Sequence, residues 1–540
     1  MAAGGADRVF AFPGGGSNLD VIEELGACGI EVVVTRSEGG AAFMAATYGE
    51  LTGRPATLLV GLGPGVANVV NGLAHALLDQ SPLVLISDRF TDDELATTGH
   101  QVLDHRALLA PVTKWQETLS AANAAAAISR AFAEATAEPR GPVHLELPRD
   151  VAAAVPVAAV LPAPVASREP DTAALAAGAN ALAHARRPLL LVGDEAAGVQ
   201  QAELVALAER LRAPVLVSYK GKGVFPEDHR LWCGIVTNAA IEADLLGAAD
   251  LLVAVGLDPI ELLPRPWTAD ALVLALRAHG EAAPGYRPAW LAEGDVAGLV
   301  TELSSLVGET ASGWTLAEID GRRQELLAAL RIPAPGSLSA VEIVEAVLAE
   351  APASATVTVD AGAHMFAATW FWRSTRPRRF LISNGLATMG YAVPAAVAAA
   401  LARPDEPVIA FTGDGGFLLH GAELETAARL GVKILVVVLN DASLSLIRIK
   451  QEDKRYRRLA VDFSLTSLAQ AGPAFGVAGS CVSDADDLRV AVREALAAPG
   501  STVVEARLPG SEYRELQRVI RGGGRVSELA PVRAWPRRRR

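Results

Sequence analysis

The apolar run Val408-Ile409-Ala410-Phe411-Thr412 stops at Gly413-Asp414-Gly415-Gly416. A helical stretch follows over about 422–430, and a second apolar run, 434–439, ends in Asn440-Asp441. Two buried-type strands joined by one helix pair side by side only in parallel, because the helix returns the chain to the end where the first strand began. This unit therefore demands an open α/β sheet covered by helices. It also puts two polar turns at the carboxyl ends of neighbouring strands, where such sheets bind ligands.

The same rhythm recurs along the chain. Over residues 8–150, Val9-Phe10-Ala11-Phe12-Pro13 reads as a first strand, and Val/Ile/Leu-rich runs follow at 32–35, 57–60 and 83–87. Helical spacing fills 38–51 and 65–78, and 142–148 reads as a closing strand. The Ala-, Pro- and Val-rich stretch 151–175 predicts an extended linker. A second unit opens at Arg187-Pro188-Leu189-Leu190-Leu191-Val192-Gly193 and continues through 214–218 and 249–256. A second linker passes through Pro333-Ala334-Pro335-Gly336, and a third unit spans about 340–510, with strands at 356–360, 408–412 and 434–439. The expectation is an α/β protein of three doubly wound parallel-sheet domains, at 1–160, 176–310 and 336–512, with a tail at 513–540 ending in four solvated arginines. Units one and three share size and rhythm but no recognisable sequence repeat.

Composition narrows the function classes. Hydrophobic residues make up 51% of the chain but aromatics only 5%, so the apolar content is Ala, Val and Leu, suited to strands buried on both faces. A net charge of −13 argues against a general nucleic-acid binder, which must neutralise phosphates. Cys28, Cys233 and Cys481 are far apart and suggest neither a disulfide framework nor a zinc site. No apolar stretch reaches bilayer length, and residues 1–7 lack the features of a signal peptide. A cytoplasmic protein is expected, with an N-terminus that reads as clipped.

The turns carry the chemistry. Glycines let backbone N–H groups approach a phosphate. Asp414 offers a hard carboxylate, Asn440 a neutral carbonyl oxygen, and Ala442 a loop carbonyl; with phosphate oxygens, these suit magnesium. A lone Gly-Asp-Gly is an ordinary acidic turn, but here the helix, second strand and Asn440 accompany it. Glu38, in Thr35-Arg36-Ser37-Glu38-Gly39-Gly40-Ala41, would by itself be a first-turn helix residue. Met389 by itself would be core filler.

The segment 413–440, with Glu423-Leu424-Glu425-Thr426-Ala427 inside it, resembles the thiamine-diphosphate motif of the acetolactate synthase/pyruvate decarboxylase superfamily. Phe12-Pro13-Gly14-Gly15, Gly63-Pro64-Gly65-Val66-Ala67-Asn68, Pro111-Val112-Thr113-Lys114-Trp115 and Gly221-Lys222-Gly223-Val224-Phe225-Pro226-Glu227-Asp228-His229 resemble its other landmarks, so the resemblance covers nearly the whole chain. It is nearest to acetolactate synthase large-subunit-like proteins. It implies pyrimidine-binding, central and diphosphate-binding domains, with thiamine diphosphate and Mg2+ as cofactors. Pro13, Gly14, Asn68, His364, Met389, Gly413, Asp414, Gly415, Gly416 and Asn440 would hold the cofactor, with Asp414, Asn440 and Ala442 on the metal. The resemblance gives Glu38 the hydrogen bond to N1′ of the aminopyrimidine, and Met389 the wedge beneath the folded cofactor. It also implies that Glu38 and the diphosphate domain meet across two subunits, hence a homodimer or homotetramer.

The same resemblance implies a 2-oxo acid donor whose decarboxylated fragment is released or passed to a second carbonyl. Gln101, Met389 and Ile447-Arg448-Ile449-Lys450-Gln451 resemble the ligating branch. No adjacent His-His pair is present, and Gly61-Leu62-Gly63 carries no histidine. The reading is a carboligase with an aldehyde or keto acceptor; a non-ligating 2-oxo acid decarboxylase or aldehyde lyase is the alternative. Gly256-Leu257-Asp258-Pro259-Ile260-Glu261-Leu262 replaces the Arg- and Asp-rich segment that holds flavin in anabolic synthases, which speaks against FAD. Leu444-Ser445-Leu446 replaces the usual aromatic-glycine step, so a different substrate pocket is expected. Arg448 and Lys450 offer positive charge to a substrate carboxylate.

Overall fold

The computed structural model describes residues 5–152, 171–267, 269–280, 285–309 and 312–522. Among the described residues, eighteen strands form three six-stranded sheets in which every strand pair is parallel. The first sheet holds β1 (Arg8–Phe12), β2 (Glu31–Val34), β3 (Ala56–Val60), β4 (Leu83–Arg89), β5 (Trp115–Thr118) and β6 (Pro142–Pro148), in the order β2-β1-β3-β4-β6-β5. The second holds β7 (Pro188–Val192), β8 (Val215–Val217), β9 (Trp232–Ile235), β10 (Leu251–Val255), β11 (Leu272–Arg277) and β12 (Trp290–Glu293), in the order β12-β11-β10-β7-β8-β9. The third holds β13 (Thr356–Val359), β14 (Phe380–Ile382), β15 (Val408–Gly413), β16 (Ile434–Asn440), β17 (Ala478–Val482) and β18 (Thr502–Arg507), in the order β14-β13-β15-β16-β18-β17.

Counted from their own first strands, the first and third sheets have one and the same order. The two units are structural duplicates without a legible sequence repeat. The middle sheet has the order of a dinucleotide-binding fold, with its switch point between β7 and β10.

Buried Val, Ile, Leu and Ala fill the central strands: β3, β7, β10 and β16 have no exposed residue. The first and third units meet through two helices. Helix Glu38–Thr52 is capped by Ser37, whose hydroxyl accepts the Gly40 N–H, and ends at Gly53 in the left-handed region. It is apolar all round, with residues 40–50 buried, because β1 and β3 cover one side and helix Ala392–Ala402 the other. Phe43 sits edge-on to Tyr391 at 5.9 Å, and the Thr47 hydroxyl donates to the Tyr391 hydroxyl.

Three local expectations change. The helical stretch 65–78 is two helices, Gly63–Asn68 and Val70–Leu78, broken at Val69. Gly413-Asp414-Gly415-Gly416 is not a free turn, since Asp414 already opens a helix, Asp414–His420, before Glu423–Leu430. The segment beginning at 513 opens with helix Tyr513–Arg521, whose Tyr513, Leu516 and Ile520 are buried and whose Ile520 carbonyl accepts the N–H groups of Ala240 and Ile241. Most of the expected linker (153–170) and the terminal arginines lie outside the described residues. The three cysteines are free, and no helix among the described residues is long and apolar enough to cross a membrane.

Candidate functional site

The candidate catalytic, cofactor and metal residues stand just beyond the carboxyl ends of strands of the first and third sheets, in the loops or short helices that follow them. In the third sheet, β15 and β16 pair with Gly413 opposite Leu439, so Asp414, which follows β15, and Asn440, which ends β16, come next at the ends of adjacent strands. The Asn440 side-chain amide is pinned on three sides. Its Nδ2 donates to Glu505 Oε1 at 2.9 Å and to the Thr466 carbonyl at 3.2 Å, while its Oδ1 accepts the Ala442 N–H at 3.1 Å. Ala442 has φ +52°, a left-handed conformation that a non-glycine residue adopts at a cost of about 1–3 kcal/mol and that concentrates at functional sites. One lone pair of its carbonyl takes the Phe463 N–H at 2.8 Å.

Asp414 is buried, and its Oδ2 has no hydrogen-bond partner. Burial, reinforced by the neighbouring Asp441 carboxylate, pushes its pKa up to about 6. A buried, partnerless carboxylate oxygen, just past the end of the strand paired with the one that ends in Asn440, is a destabilised arrangement that a hard cation would relieve. The arrangement thus fits the metal–diphosphate group that the motif implies.

The glycines leave room for it. A Cβ on Gly413 would stand 3.3 Å from the His364 ring, and one on Gly415 3.1 Å from Met389 Cε and 3.3 Å from Leu444 Cδ2. Met389 therefore lies over the start of the Asp414 helix, with Leu444 and Phe463 beside it. His364 is fully buried, and burial lowers its pKa to about 4 against the opposing pull of the Asp360 carbonyl. The ring is neutral at pH 7 and its Nε2 has no partner.

Asp360, which sequence reasoning passed over, braces this end of the sheet. It accepts the Tyr391 N–H at 2.8 Å, the Ala392 N–H at 3.3 Å and the Thr412 hydroxyl at 2.7 Å. Burial raises its pKa to about 6. A Cβ on Gly416 would come within 2.2 Å of its Oδ2. The signal was an acid directly after the buried Thr356–Val359 strand.

In the first sheet, Pro13 and Gly14 follow β1. Gly14 faces the Gly61 backbone so closely that a Cβ would meet its Cα at 2.8 Å, and its N–H donates to Asn18 Oδ1. Asn18 is held in turn by Asp88. Glu38 is half-buried and accepts the Asn68 side-chain N–H at 3.1 Å. Gln101 is exposed at φ +58°, with its carbonyl against Gly63. Pro13, Gly14, Glu38, Asn68 and Gln101 thus share the rim of the first sheet. His364, Met389, residues 413–416, Asn440 and Ala442 share the rim of the third.

Two third-unit residues link these rims within one chain. His420 lies against Gly39, and its Nδ1 is 3.0 Å from the Gly390 carbonyl. Glu423 is buried and accepts the Arg36 N–H and the Ser37 and Thr426 hydroxyls. It clamps the turn that carries Glu38. Neither was given a role of its own from sequence, where Glu423 entered only as part of the 413–440 motif.

Arg448 is turned inward rather than towards a substrate. It donates to the Ser445 hydroxyl and the Gly510 carbonyl, and pairs with Glu452 and Asp441. Lys450 is exposed. Buried Asp441 accepts the Ser445 hydroxyl, which makes this a brace for the loop after Asn440.

The crevice of the middle sheet is already filled. Glu261 accepts the N–H groups of Asp194 and Asp258 and the Ser218 hydroxyl; burial, with Asp194 nearby, pushes its pKa up to about 8. Arg277 forks onto Glu195 and reaches Asp258 at 2.9 Å. Glu195, Asp258 and His279 converge as cation ligands would, but the Arg277 guanidinium stands among them. The N–H of Asp194 in the first β–α turn is spent on an internal carboxylate, and an incoming diphosphate would face three more acids. These residues do not fit FAD.

Comparison with known proteins gives the family. Three family models match: the thiamine pyrophosphate enzyme N-terminal TPP binding domain at residues 1–108, the central domain at 175–276, and the C-terminal TPP binding domain at 360–506. An acetolactate synthase of Bacillus subtilis (strain 168) is 31% identical over 533 residues, covering 94% of this chain and 91% of its own. A protein of Pseudomonas aeruginosa named a probable 2-ketoarginine decarboxylase is 33% identical over 527 residues, covering 94% and 92%. An X-ray structure of a candidate thiamin diphosphate-dependent enzyme from Mycobacterium smegmatis superposes with a TM-score of 0.82 over 94% of this chain and 98% of that one; at 24% identity it speaks for the fold alone.

Proposed function

The chain belongs to the thiamine pyrophosphate enzymes, in their acetolactate synthase-like group, and from that premise we propose that it decarboxylates a 2-oxo acid and transfers the two-electron fragment to a second carbonyl. Bound thiamine diphosphate supplies the electron sink for decarboxylation. In this reading Asp414, Asn440 and the free lone pair of the Ala442 carbonyl hold Mg2+, and the bare backbone at 413–416 admits the diphosphate. Glu38, steadied by Asn68 and by the turn that Glu423 clamps, holds a proton at the pyrimidine N1′. Met389, Leu444 and Phe463 wall the reacting face and keep water from it. Gln101 faces the acceptor from the rim it shares with Glu38.

The single observation carrying the metal and diphosphate part is the buried, partnerless Oδ2 of Asp414 beside the fixed amide of Asn440. The ligating outcome is supported by Gln101 on the Glu38 rim and by relatives named acetolactate synthases. A dimer completing each site is supported by apolar side chains left exposed on both rims: Phe12, Val34, Val102 and Leu103 on one, Leu418, Leu419, Phe463 and Leu465 on the other. No flavin is part of this reading, because the middle sheet's crevice is closed by its own acids and Arg277.

A non-ligating 2-oxo acid decarboxylase is the second reading, favoured by the relative named a 2-ketoarginine decarboxylase and by Leu444 in the reacting wall. The test is a panel of 2-oxo acids, aliphatic and cationic, supplied with thiamine diphosphate and Mg2+, with and without a second keto acid or aldehyde. Carbon dioxide release with a product whose mass joins donor and acceptor supports ligation. Free aldehyde alone, whatever the acceptor, overturns it in favour of the second reading.

A further inference from the structure

We propose that Glu505 is a positioning residue for the cation site, acting through Asn440. The proposal rests on the reading of Asn440 as a metal ligand. An asparagine amide presents its oxygen or its nitrogen to a given side with almost equal shape, and only the oxygen serves a cation. Here the choice is made from behind. Glu505 stands on β18, hydrogen-bonded alongside β16, and is completely buried. A carboxylate has no proton to give, so only the Nδ2 side of Asn440 can face it, as it does at 2.9 Å. The second Nδ2 hydrogen goes to the Thr466 carbonyl, and Oδ1 is left facing the Ala442 N–H, at the end of the strand paired with the one that Asp414 follows.

Glu505 is itself unable to swing away. Its Oε2 accepts the Ala469 N–H at 2.9 Å and lies 3.5 Å from the Ser467 hydroxyl, and its Oε1 also accepts from Arg507 Nε at 3.0 Å. A fixed negative charge behind an amide also draws its NH2 and makes the far oxygen a better ligand for a hard ion. A glutamate inside Thr502-Val503-Val504-Glu505-Ala506 would otherwise be a costly choice for a buried strand.

The test is a set of variants in the full-length protein: E505Q, which keeps the shape but removes the charge and adds a donor facing Asn440 or Ala469; E505L; R507A, which removes a Glu505 partner without touching Asn440; and N440A. Mg2+ binding is measured by titration calorimetry into metal-free protein holding saturating thiamine diphosphate, with urea unfolding alongside. Outer-shell partners of metal ligands are worth about 10–100-fold in affinity. That loss is expected for E505Q and E505L, with R507A within about threefold of the parent. The Mg2+ concentration for half-maximal activity should rise while kcat at saturating Mg2+ stays near the parent's, a split that general structural damage would not produce. If N440A loses Mg2+ while both Glu505 variants bind it as the parent does, the positioning role is wrong and the metal reading stands. If N440A also binds Mg2+ normally, the metal reading itself fails and this proposal with it. Should E505L not fold, E505Q decides alone.

Discussion

Replacing Gly40 by alanine tests the clamp between the two cofactor-type units. The added methyl carbon would stand 2.2 Å from Glu423 Oε1 and 2.9 Å from its Cδ, so one of them must move. Glu423 is only 1% exposed. Its oxygens accept the Arg36 N–H at 3.1 and 3.2 Å, the Ser37 hydroxyl at 3.3 Å and the Thr426 hydroxyl at 2.7 Å. Each buried hydrogen bond to a carboxylate is worth about 1.5–3 kcal/mol, and displacement breaks at least one. Forcing a methyl into filled space adds about 1–3 kcal/mol, while the better helix propensity of alanine returns about 1 kcal/mol. The net expectation is a loss of about 1.5–5 kcal/mol in urea unfolding of the cofactor-free protein, followed by tryptophan fluorescence. The control is Gly321→Ala in helix Leu316–Leu330, where nothing lies within 4 Å of the new carbon and a gain of up to about 1 kcal/mol is expected. Because the same turn carries Glu38, G40A should also lower kcat. A G40A protein as stable as the parent would refute the clamp.

Four further outcomes follow from the site. With a folded pKa of about 6 against about 4 unfolded, Asp414 binds more protons folded than unfolded, so its contribution to stability is lost as pH rises through that window, by about 3 kcal/mol in all. Asp414→Asn should therefore stabilise the cofactor-free protein by up to about 3 kcal/mol at pH 8 in urea unfolding, while abolishing Mg2+ binding by calorimetry. In the parent, protons compete with the cation for this carboxylate, so Mg2+ affinity should fall by about tenfold per unit below pH 6 and be flat above; a flat profile down to pH 5 removes Asp414 from the metal. Glu38→Gln should cost about 10²–10⁴ in kcat with an unchanged urea midpoint, as loss of an acid/base partner does. Met389→Ala should weaken thiamine diphosphate binding, read from fluorescence quenching, and an unchanged dissociation constant would take Met389 off the cofactor's side.

Much of this arrangement was legible in the chain because it is local. The strand–turn–helix pattern at 408–440 sets a parallel pair with its polar turns at one end, so Asp414 and Asn440 had to be neighbours once the strands paired. The same logic placed Glu38 after β2 and Pro13 after β1. What went unread depends on contacts far apart in sequence. Nothing near Arg448 says that its side chain will be drawn inward to the Gly510 carbonyl, 62 residues on, and a helix arginine is solvated by default. Glu423 and Glu505 look like an ordinary helix acid and an awkward strand residue until residues 387 and 65 positions away are brought against them. The duplication of the first and third sheets was equally hidden. Strand order is a property of pairing, and many unrelated apolar sequences satisfy the same order.

The sequence by itself determined the layer architecture, and its resemblance to the thiamine-diphosphate enzymes implied the kind of chemistry. Periodicity and glycine placement are one-residue-to-the-next properties that backbone sterics convert directly into strands, helices and turns. Tertiary structure decided which polar groups are paired and which are left wanting a partner. Burial of Asp414 Oδ2, the one-way orientation of the Asn440 amide and the closing of the middle crevice by Arg277 each arise only when separate strands share a low-dielectric interior, where an unpaired charge is costly and a paired one is fixed in place.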